Sequence, residues 1–419
     1  MKDKSKKHIL FIFGGRGCER DISVRSADFV YPLLDRSRYT VTPVYIQKNG
    51  AWLMPRPTVK DGSASCEAHP ENTEFFSCFR EKNNEKVPKN SYTGIKITLS
   101  EHIEALVRGE CEGAECAPAF IGGCCGIIFD GGFIPVDCAV PLLHGDFGED
   151  GVVQGALENA KIPYIGCKVG AGAIICDKGI TKLIAERLNI PTAPWIYSVA
   201  SEGAPLAKTR AEAALGYPMF IKPATLGSSV GAAKVLSERD FISAYEGAAS
   251  VCDRILIEKC ISIKKELECA YFATKSKEIF TKIGEISYTG GFYDYDSKYA
   301  VSSEAVVSDS SDIPSALCER IHLYAKELCL TLGVRQISRI DFFLTVDGEL
   351  IFNEINTMPG FTGGSLYPRL LSECGLATGE ALSLLIEDAT ECTEGSAECT
   401  ENTTECATDE SECTEGSAE

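Results

Sequence analysis

The sequence predicts an α/β fold in three parts, and three stretches predict it. The run His8–Phe13 is an apolar strand that meets Gly14-Gly15 and then a helical pattern near Ile22–Ser26, the usual opening of an α/β domain. In the middle, "YPMFIKPATLGSSVGAAKV" reads as strand, small-residue loop and strand. Toward the end, "QISRIDFFLTVDG" and "ELIFNEINT" are β-branched and aromatic runs separated by Asp347-Gly348, a strong hairpin signal.

The first part runs over residues 1–166. After the opening strand–turn–helix, residues 57–118 are dense in Pro, Asn, Lys and Glu and are expected to form an irregular insertion. Strand pattern returns at "VDCAVPLLHG", followed by "GEDGVVQGALENAKIPYIG" as helix and short strand. The second part, 167–260, starts with the helix "CDKGITKLIAERLNI", closed by Pro191 and Pro194. The loop Ala224–Ser229 has little side-chain bulk and exposes backbone N–H groups, which suits a polyphosphate or a plain glycine hairpin. Lys222 enters that loop as a point charge, and "RILIEKCI" ends in Glu258-Lys259, groups suited to a polar ring edge or a ribose. The third part, 261–390, carries the hairpin. Alternation puts Glu354 and Asn356 on one face of one strand, and Arg339 and Asp341 on one face of the other. Hard oxygen donors converging in this way suit Mg²⁺, and an arginine beside them suits phosphate or a developing oxyanion. A salt-bridged surface hairpin is the bland alternative for any such carboxylate pair seen alone.

Composition narrows the function classes. The 44% hydrophobic content is ordinary for a globular enzyme. No apolar run reaches transmembrane length, and the apolar stretch of "MKDKSKKHILFIFGG" is short and runs into a glycine turn, as a first strand does rather than a signal peptide. Of the net charge of −19, ten acidic residues and no Lys or Arg fall in 391–419, which leaves −9 on the rest. That balance argues against nucleic acid and anionic membrane as partners. The segment 391–419 repeats every seven residues, with cysteines at 392, 399, 406 and 413. It lacks the second apolar position of a coiled-coil seam and is expected to be an acidic, disordered tail. Twenty cysteines without a CxxC pair are expected to be thiols rather than a disulfide framework.

Six blocks, in order, carry a resemblance: "GGRGCERDISVRSA", "LHGDFGEDGVVQG", "DKGITK", "KPATLGSSVG", "GGFYDYDSKY" and "SRIDFF…NEINTMPGFT". Together they resemble the D-alanine–D-alanine ligase family of ATP-grasp enzymes, over nearly the whole chain to about residue 388. The resemblance implies a three-domain ATP-grasp fold with an N-terminal Rossmann-like α/β domain and a mobile lid over 288–308. It implies ATP, two Mg²⁺ (or Mn²⁺) and D-alanine as the small molecules bound, and a cytoplasmic homodimer serving peptidoglycan precursor synthesis.

The roles implied are these. Glu19 holds the first substrate's ammonium, with Ser228 and Tyr299 as its hydrogen-bonded partners. Lys178, Lys222 and Lys298 meet the phosphates; Glu258 and Lys259 meet the adenine edge, Phe292 packs near the base and Glu266 contacts the ribose. Asp341, Glu354 and Asn356 hold the metal ions, while Arg339 and the Gly360 N–H face the oxyanion. Ser365 and Leu366 form the second-substrate pocket. His144 matches a first-subsite residue, although a histidine after a strand also fits a structural place. Sister ligases adding D-serine or D-lactate share most of the blocks, and a non-catalytic ATP-binding relative is a third reading. Lys298-Tyr299 in the lid and the apolar Leu366 favour D-alanine, since a D-serine hydroxyl left unpaired costs about 1–3 kcal/mol. The chain departs from the family pattern at Arg16-Gly17-Cys18, Arg20 and Gly363-Gly364, near the second-substrate and lid positions.

Overall fold

The computed structural model describes residues 6–55, 113–129, 132–287, 306–309 and 313–401. The first part contains β1 (Lys7–Gly14), α1 (Arg20–Val30), β2 (Tyr39–Ile46), β3 (Trp52–Pro55), β4 (Gly113–Ile121), β5 (Cys124–Phe129), β6 (Gly132–Pro135), β7 (Cys138–Pro141) and α2 (Val152–Asn159). These strands form one seven-stranded sheet in the order β6-β5-β4-β3-β2-β1-β7. β1 is parallel to both β2 and β7 and is buried on both faces, which is why it reads as the unbroken apolar run Ile9–Phe13. Ile9, Phe11 and Phe13 pack on one side; Leu10 and Ile12 pack on the other, against Val153 and Leu157 of α2.

The sheet of the first part is mixed. Only β2, β1 and β7 form the parallel part of the sheet, and β3 to β6 join it as an antiparallel meander. Gly122-Gly123, both at positive φ, closes β4 onto β5 in two residues, too few for the crossover that a parallel strand needs. The expected irregular insertion also ends early, because Gly113–Pro118 belongs to β4.

The second part contains α3 (Val169–Ile175), α4 (Lys178–Arg187), β8 (Trp195–Val199), α5 (Ala204–Ala214), β9 (Met219–Pro223), β10 (Ala233–Val235), α6 (Glu238–Ala249) and β11 (Arg254–Lys259). Its four strands pair antiparallel in the order β10-β9-β11-β8, with α5 and α6 packed on the apolar face. The third part contains β12 (Ile263–Thr274), β13 (Lys277–Ser287), β14 (Val306–Asp309), α7 (Ser315–Leu332), β15 (Ile337–Thr345), β16 (Leu350–Asn356), α8 (Leu366–Glu373) and α9 (Thr378–Glu401). This antiparallel sheet has the order β14-β13-β12-β15-β16.

α7 buries Leu317, Ile321, Ala325, Leu328 and Leu332 against one face of this third sheet and stops at Gly333, where φ is +68°. The other face shares a core with the first part: Ala270, Phe272, Leu366 and Leu385 pack with Phe11, Phe13 and Val30. The first and third parts are thereby locked together around the ends of β1 and β7. α9 continues to Glu401, so the acidic segment expected to be disordered from 391 begins as helix. The described cysteines are free thiols.

Candidate active site

Three loops converge where β1 and β7 end. β2 and β7 flank β1 on opposite sides, so this is the point at which the parallel strands switch direction, a place where α/β sheets open a crevice. After β1 the chain turns at Gly14-Gly15 and reaches Glu19, the N-cap residue of α1. Glu19 is buried, and its carboxylate accepts a hydrogen bond from the Ser228 hydroxyl in the loop after β9. Two glycines make room for it. A β-carbon at Gly145 would stand 2.2 Å from Glu19 Oε2, and one at Gly227 2.6 Å from the same oxygen. Ser228 and Ser229 both take the left-handed backbone conformation, φ 49° and 59°, which turns the loop onto Glu19.

The loop after β7 supplies His144 and Glu149. His144 Nδ1 lies 2.9 Å from the Met358 carbonyl, which can only accept, so the proton sits on Nδ1. Nε2 then accepts from the Ser26 hydroxyl at 2.9 Å. Burial brings the imidazole down to about 4, so it is neutral at physiological pH and ties the first part of the fold to the Met358 turn. Glu149 accepts from Met358 N at 2.7 Å and from Gly145 N at 3.0 Å. Burial, then the neighbouring Glu19 charge, pushes its carboxyl up to about 8.

The hairpin of β15 and β16 turns at Gly348, φ 86°, as Asp347-Gly348 predicts. Arg339 pairs directly with Asn356, and Asp341 with Glu354, so all four side chains share one face. Arg339 clamps Asp341 with Nε and NH2 at 2.8 and 2.7 Å. Asn356 Nδ2 donates to Asp341 at 3.1 Å, and Lys178 Nζ lies 3.4 Å from Glu354. Among the described residues, no three His, Cys, Asp or Glu side chains close on one point. The donor set is two carboxylates and one carboxamide. That set fits Mg²⁺ or Mn²⁺, which leave further positions to phosphate oxygens and water, and its charge is now met by cationic side chains.

Between the second and third sheets lies a cleft of about 650 Å³. Seven lysines line it against four glutamates, a surplus of positive charge suited to a polyphosphate. α4 starts on the Asp177 side-chain cap, which puts Lys178 in its first turn and Lys182 four residues on, along the same face. Lys178 Nζ also donates to the Leu226 carbonyl at 2.8 Å, fixing the small-residue loop. Glu258 sits between Lys182 at 2.8 Å and Lys222 at 2.7 Å. Burial raises its carboxyl, but the two ammoniums outweigh that and bring it down to about 2. Lys259 donates to the Gly216 and Tyr217 carbonyls at 3.1 and 3.0 Å, and Glu266 lines the cleft.

On the far side of the hairpin, Ser365 Oγ bonds Thr362 N at 3.0 Å, and a β-carbon at Gly360 would stand 2.9 Å from that hydroxyl. Leu366 is buried at the start of α8 and packs over Gly284 of β13. Phe292, Lys298 and Tyr299, with most of the expected lid 288–308, lie outside the described residues. Three groups were not singled out from the sequence. Lys182 was signalled by its four-residue spacing from Lys178, and Glu268 by its alternation with Glu266. Glu149 carried no local signal beyond its glycine-rich loop.

Residues 8–167 match the family model described as D-ala D-ala ligase N-terminus, and residues 184–387 the one described as D-ala D-ala ligase C-terminus. The D-alanine–D-alanine ligase of Chlorobium luteolum is 36% identical over 392 residues, 93% of this chain and 98% of that protein. The solved D-alanine–D-alanine ligase from Coxiella burnetii is similar with a TM-score of 0.73 at 25% identity, covering 95% of this chain and 98% of that one. The VanG D-Ala:D-Ser ligase from Enterococcus faecalis is similar with a TM-score of 0.71 at 27% identity, covering 91% and 99%. With two family models spanning all three sheets and a relative matched almost end to end, the chain belongs to the D-alanine–D-alanine ligase family.

Proposed function

We propose that this chain joins two D-alanines into D-alanyl-D-alanine, with ATP converted to ADP and phosphate. The observation that carries the reading is the clasp on Glu19 by Gly145, Gly227 and Ser228, opening beside the lysine-lined cleft and the oxygen-donor face of the hairpin. An anionic recess next to a cationic cleft matches an amino acid's ammonium next to a triphosphate.

In this reading Glu19 takes the first D-alanine's ammonium, and that D-alanine's own carboxylate attacks the γ-phosphorus of ATP to give D-alanyl phosphate and ADP. Lys178 and Lys222 leave Glu354 and Glu258 for phosphate oxygens, and Lys298 closes with the lid. Glu258 and Lys259 face the adenine edge, Phe292 the base and Glu266 the ribose. Two Mg²⁺ or Mn²⁺, held by Asp341, Glu354 and Asn356, would neutralise charge on the β- and γ-phosphates. The second D-alanine, seated by Ser365 and Leu366, attacks the acyl carbon through its amine. Arg339 and the Gly360 N–H stabilise the oxyanion before phosphate departs. Tyr299 links the lid to Ser228 and Glu19, and His144 braces the first subsite through its neutral ring.

D-alanine is favoured over D-serine because Leu366 is buried and apolar and offers a hydroxyl no partner. The division into 1–166, 167–260 and 261–390, and work as a cytoplasmic homodimer, belong to the same reading. No helix among the described residues is long and apolar enough to cross a membrane. The test is ATP-dependent phosphate release with the product identified by mass, using Mg²⁺ and D-alanine alone, then with D-serine or D-lactate added. Release with D-alanine alone and a D-alanyl-D-alanine product is expected. A preferred mixed product would reassign the second substrate, and tight ATP binding without turnover on any of them would overturn the ligase reading for this chain.

A further inference from the structure

One cross-strand row on the third sheet joins the metal-donor end of the site to the second-substrate end. Direct partners in antiparallel strands share a face. The pairings Glu354 with Asp341, Asp341 with Glu268, and Glu268 with Gly284 therefore align four residues across β16, β15, β12 and β13. At the Gly284 end, a β-carbon would stand 2.6 Å from a Leu366 methyl, so the row reaches the second-substrate pocket. In its middle Glu268 is 5% exposed, and its Oε2 lies 3.2 Å from Arg339 Nε. Arg339 thus has two carboxylates within reach and is clamped, in this arrangement, on Asp341.

That clamp conflicts with a metal ion at Asp341. A guanidinium and a divalent cation crowded onto one carboxylate repel each other, at about 4 kcal/mol per pair of unit charges 4 Å apart in a protein-like medium. We propose that Glu268 is a positioning residue that receives the Arg339 guanidinium when Asp341 turns to a divalent cation. The arginine, already 3.2 Å from Glu268 Oε2, then gives up its Asp341 contacts, closes on Glu268 and stays charge-paired. The proposal rests on the reading of Asp341 as a metal ligand and Arg339 as an oxyanion donor.

Mn²⁺ binding to the full chain in the presence of ADP, read by electron paramagnetic resonance, tests it apart from turnover. Glu268→Gln is expected to weaken Mn²⁺ about tenfold, because Arg339 then has only Asp341 to pair with. In an Arg339→Met background the same substitution should change the affinity less than twofold. Unchanged affinity in folded Glu268→Gln protein would overturn the proposal. So would equal weakening in both backgrounds, which is the signature of a lost charge acting through space. Should Glu268→Gln fail to fold, Glu268→Asp, which withdraws the carboxylate but keeps its charge, is expected to weaken Mn²⁺ about threefold with the same dependence on Arg339. The underlying metal reading fails separately: Asp341→Asn and Glu354→Gln would then bind Mn²⁺ as the unaltered protein does.

Discussion

In the cleft between the second and third sheets, Glu258 lies between Lys182 and Lys222, Glu354 lies beside Lys178, and Glu285 lies beside Lys265. At the ends of β1 and β7, by contrast, Glu19 accepts from the Ser228 hydroxyl and Glu149 from two backbone N–H groups. Both regions bury carboxylates, yet their titration diverges: Glu258 is brought down to about 2 and Glu149 pushed up to about 8. The cleft carboxylates sit against ammoniums, while those of the recess are held by hydroxyl and backbone N–H donors, and burial with the Glu19 charge keeps Glu149 largely protonated. In the proposed reaction this difference would orient an amino acid's ammonium toward the recess and a triphosphate toward the cleft.

The sharpest way to break this contrast is Lys182→Met. It strips one ammonium from buried Glu258 and should cost about 3–5 kcal/mol of stability, read by denaturant unfolding. The KM for ATP should rise while the KM for D-alanine holds; equal change in both would mean that the two regions are not electrostatically separate. Next is the neutral imidazole of His144. Its folded value, about 4, lies below the ordinary 6.5, so its stability contribution is present above 6.5 and lost as pH falls toward 4. The loss is about 3 kcal/mol, and His144→Gln should remove that part of the acid slope.

Glu19→Gln should lower kcat/KM for D-alanine by about 10²-fold, near 3 kcal/mol, with ATP binding unmoved. A smaller effect sharpens the comparison through Glu149. Its folded value is raised, so its contribution is present below 4.5 and lost as pH rises toward 8. An ammonium arriving beside Glu19 should lower the Glu149 carboxyl and release a fraction of a proton, measured as buffer-dependent heat of D-alanine binding near pH 7. Glu149→Gln should abolish that release. The smallest effect is expected from truncation after Glu401, which should leave the steady-state rate within about twofold.

The hairpin that carries Arg339, Asp341, Glu354 and Asn356 was legible because alternation and a Gly turn are local rules, obeyed over a dozen residues. The strand-to-helix turn before Glu19 was legible for the same reason, from the glycine pair that ends an apolar strand, whereas the Asp177 side-chain cap that starts α4 was not read. The antiparallel meander was not anticipated, because the first strand alone does not say how its distant neighbours pair. Nor was the reach of α9 to Glu401, where a polar repeat reads as disorder once its continuity with an apolar helix face is ignored.

By itself, then, the sequence determined β1, the hairpin strands, the glycine loops and the chemical types available for a site. Only the tertiary structure decided that Glu19 would sit between Gly145 and Gly227, that Lys182 would neutralise Glu258, and that Glu268 would stand between Arg339 and Leu366. Dihedral preferences and residue periodicity act over a few residues and are written in the chain order. The pairing of buried charges acts across a shared core, and its partners are chosen by which faces of three sheets pack together.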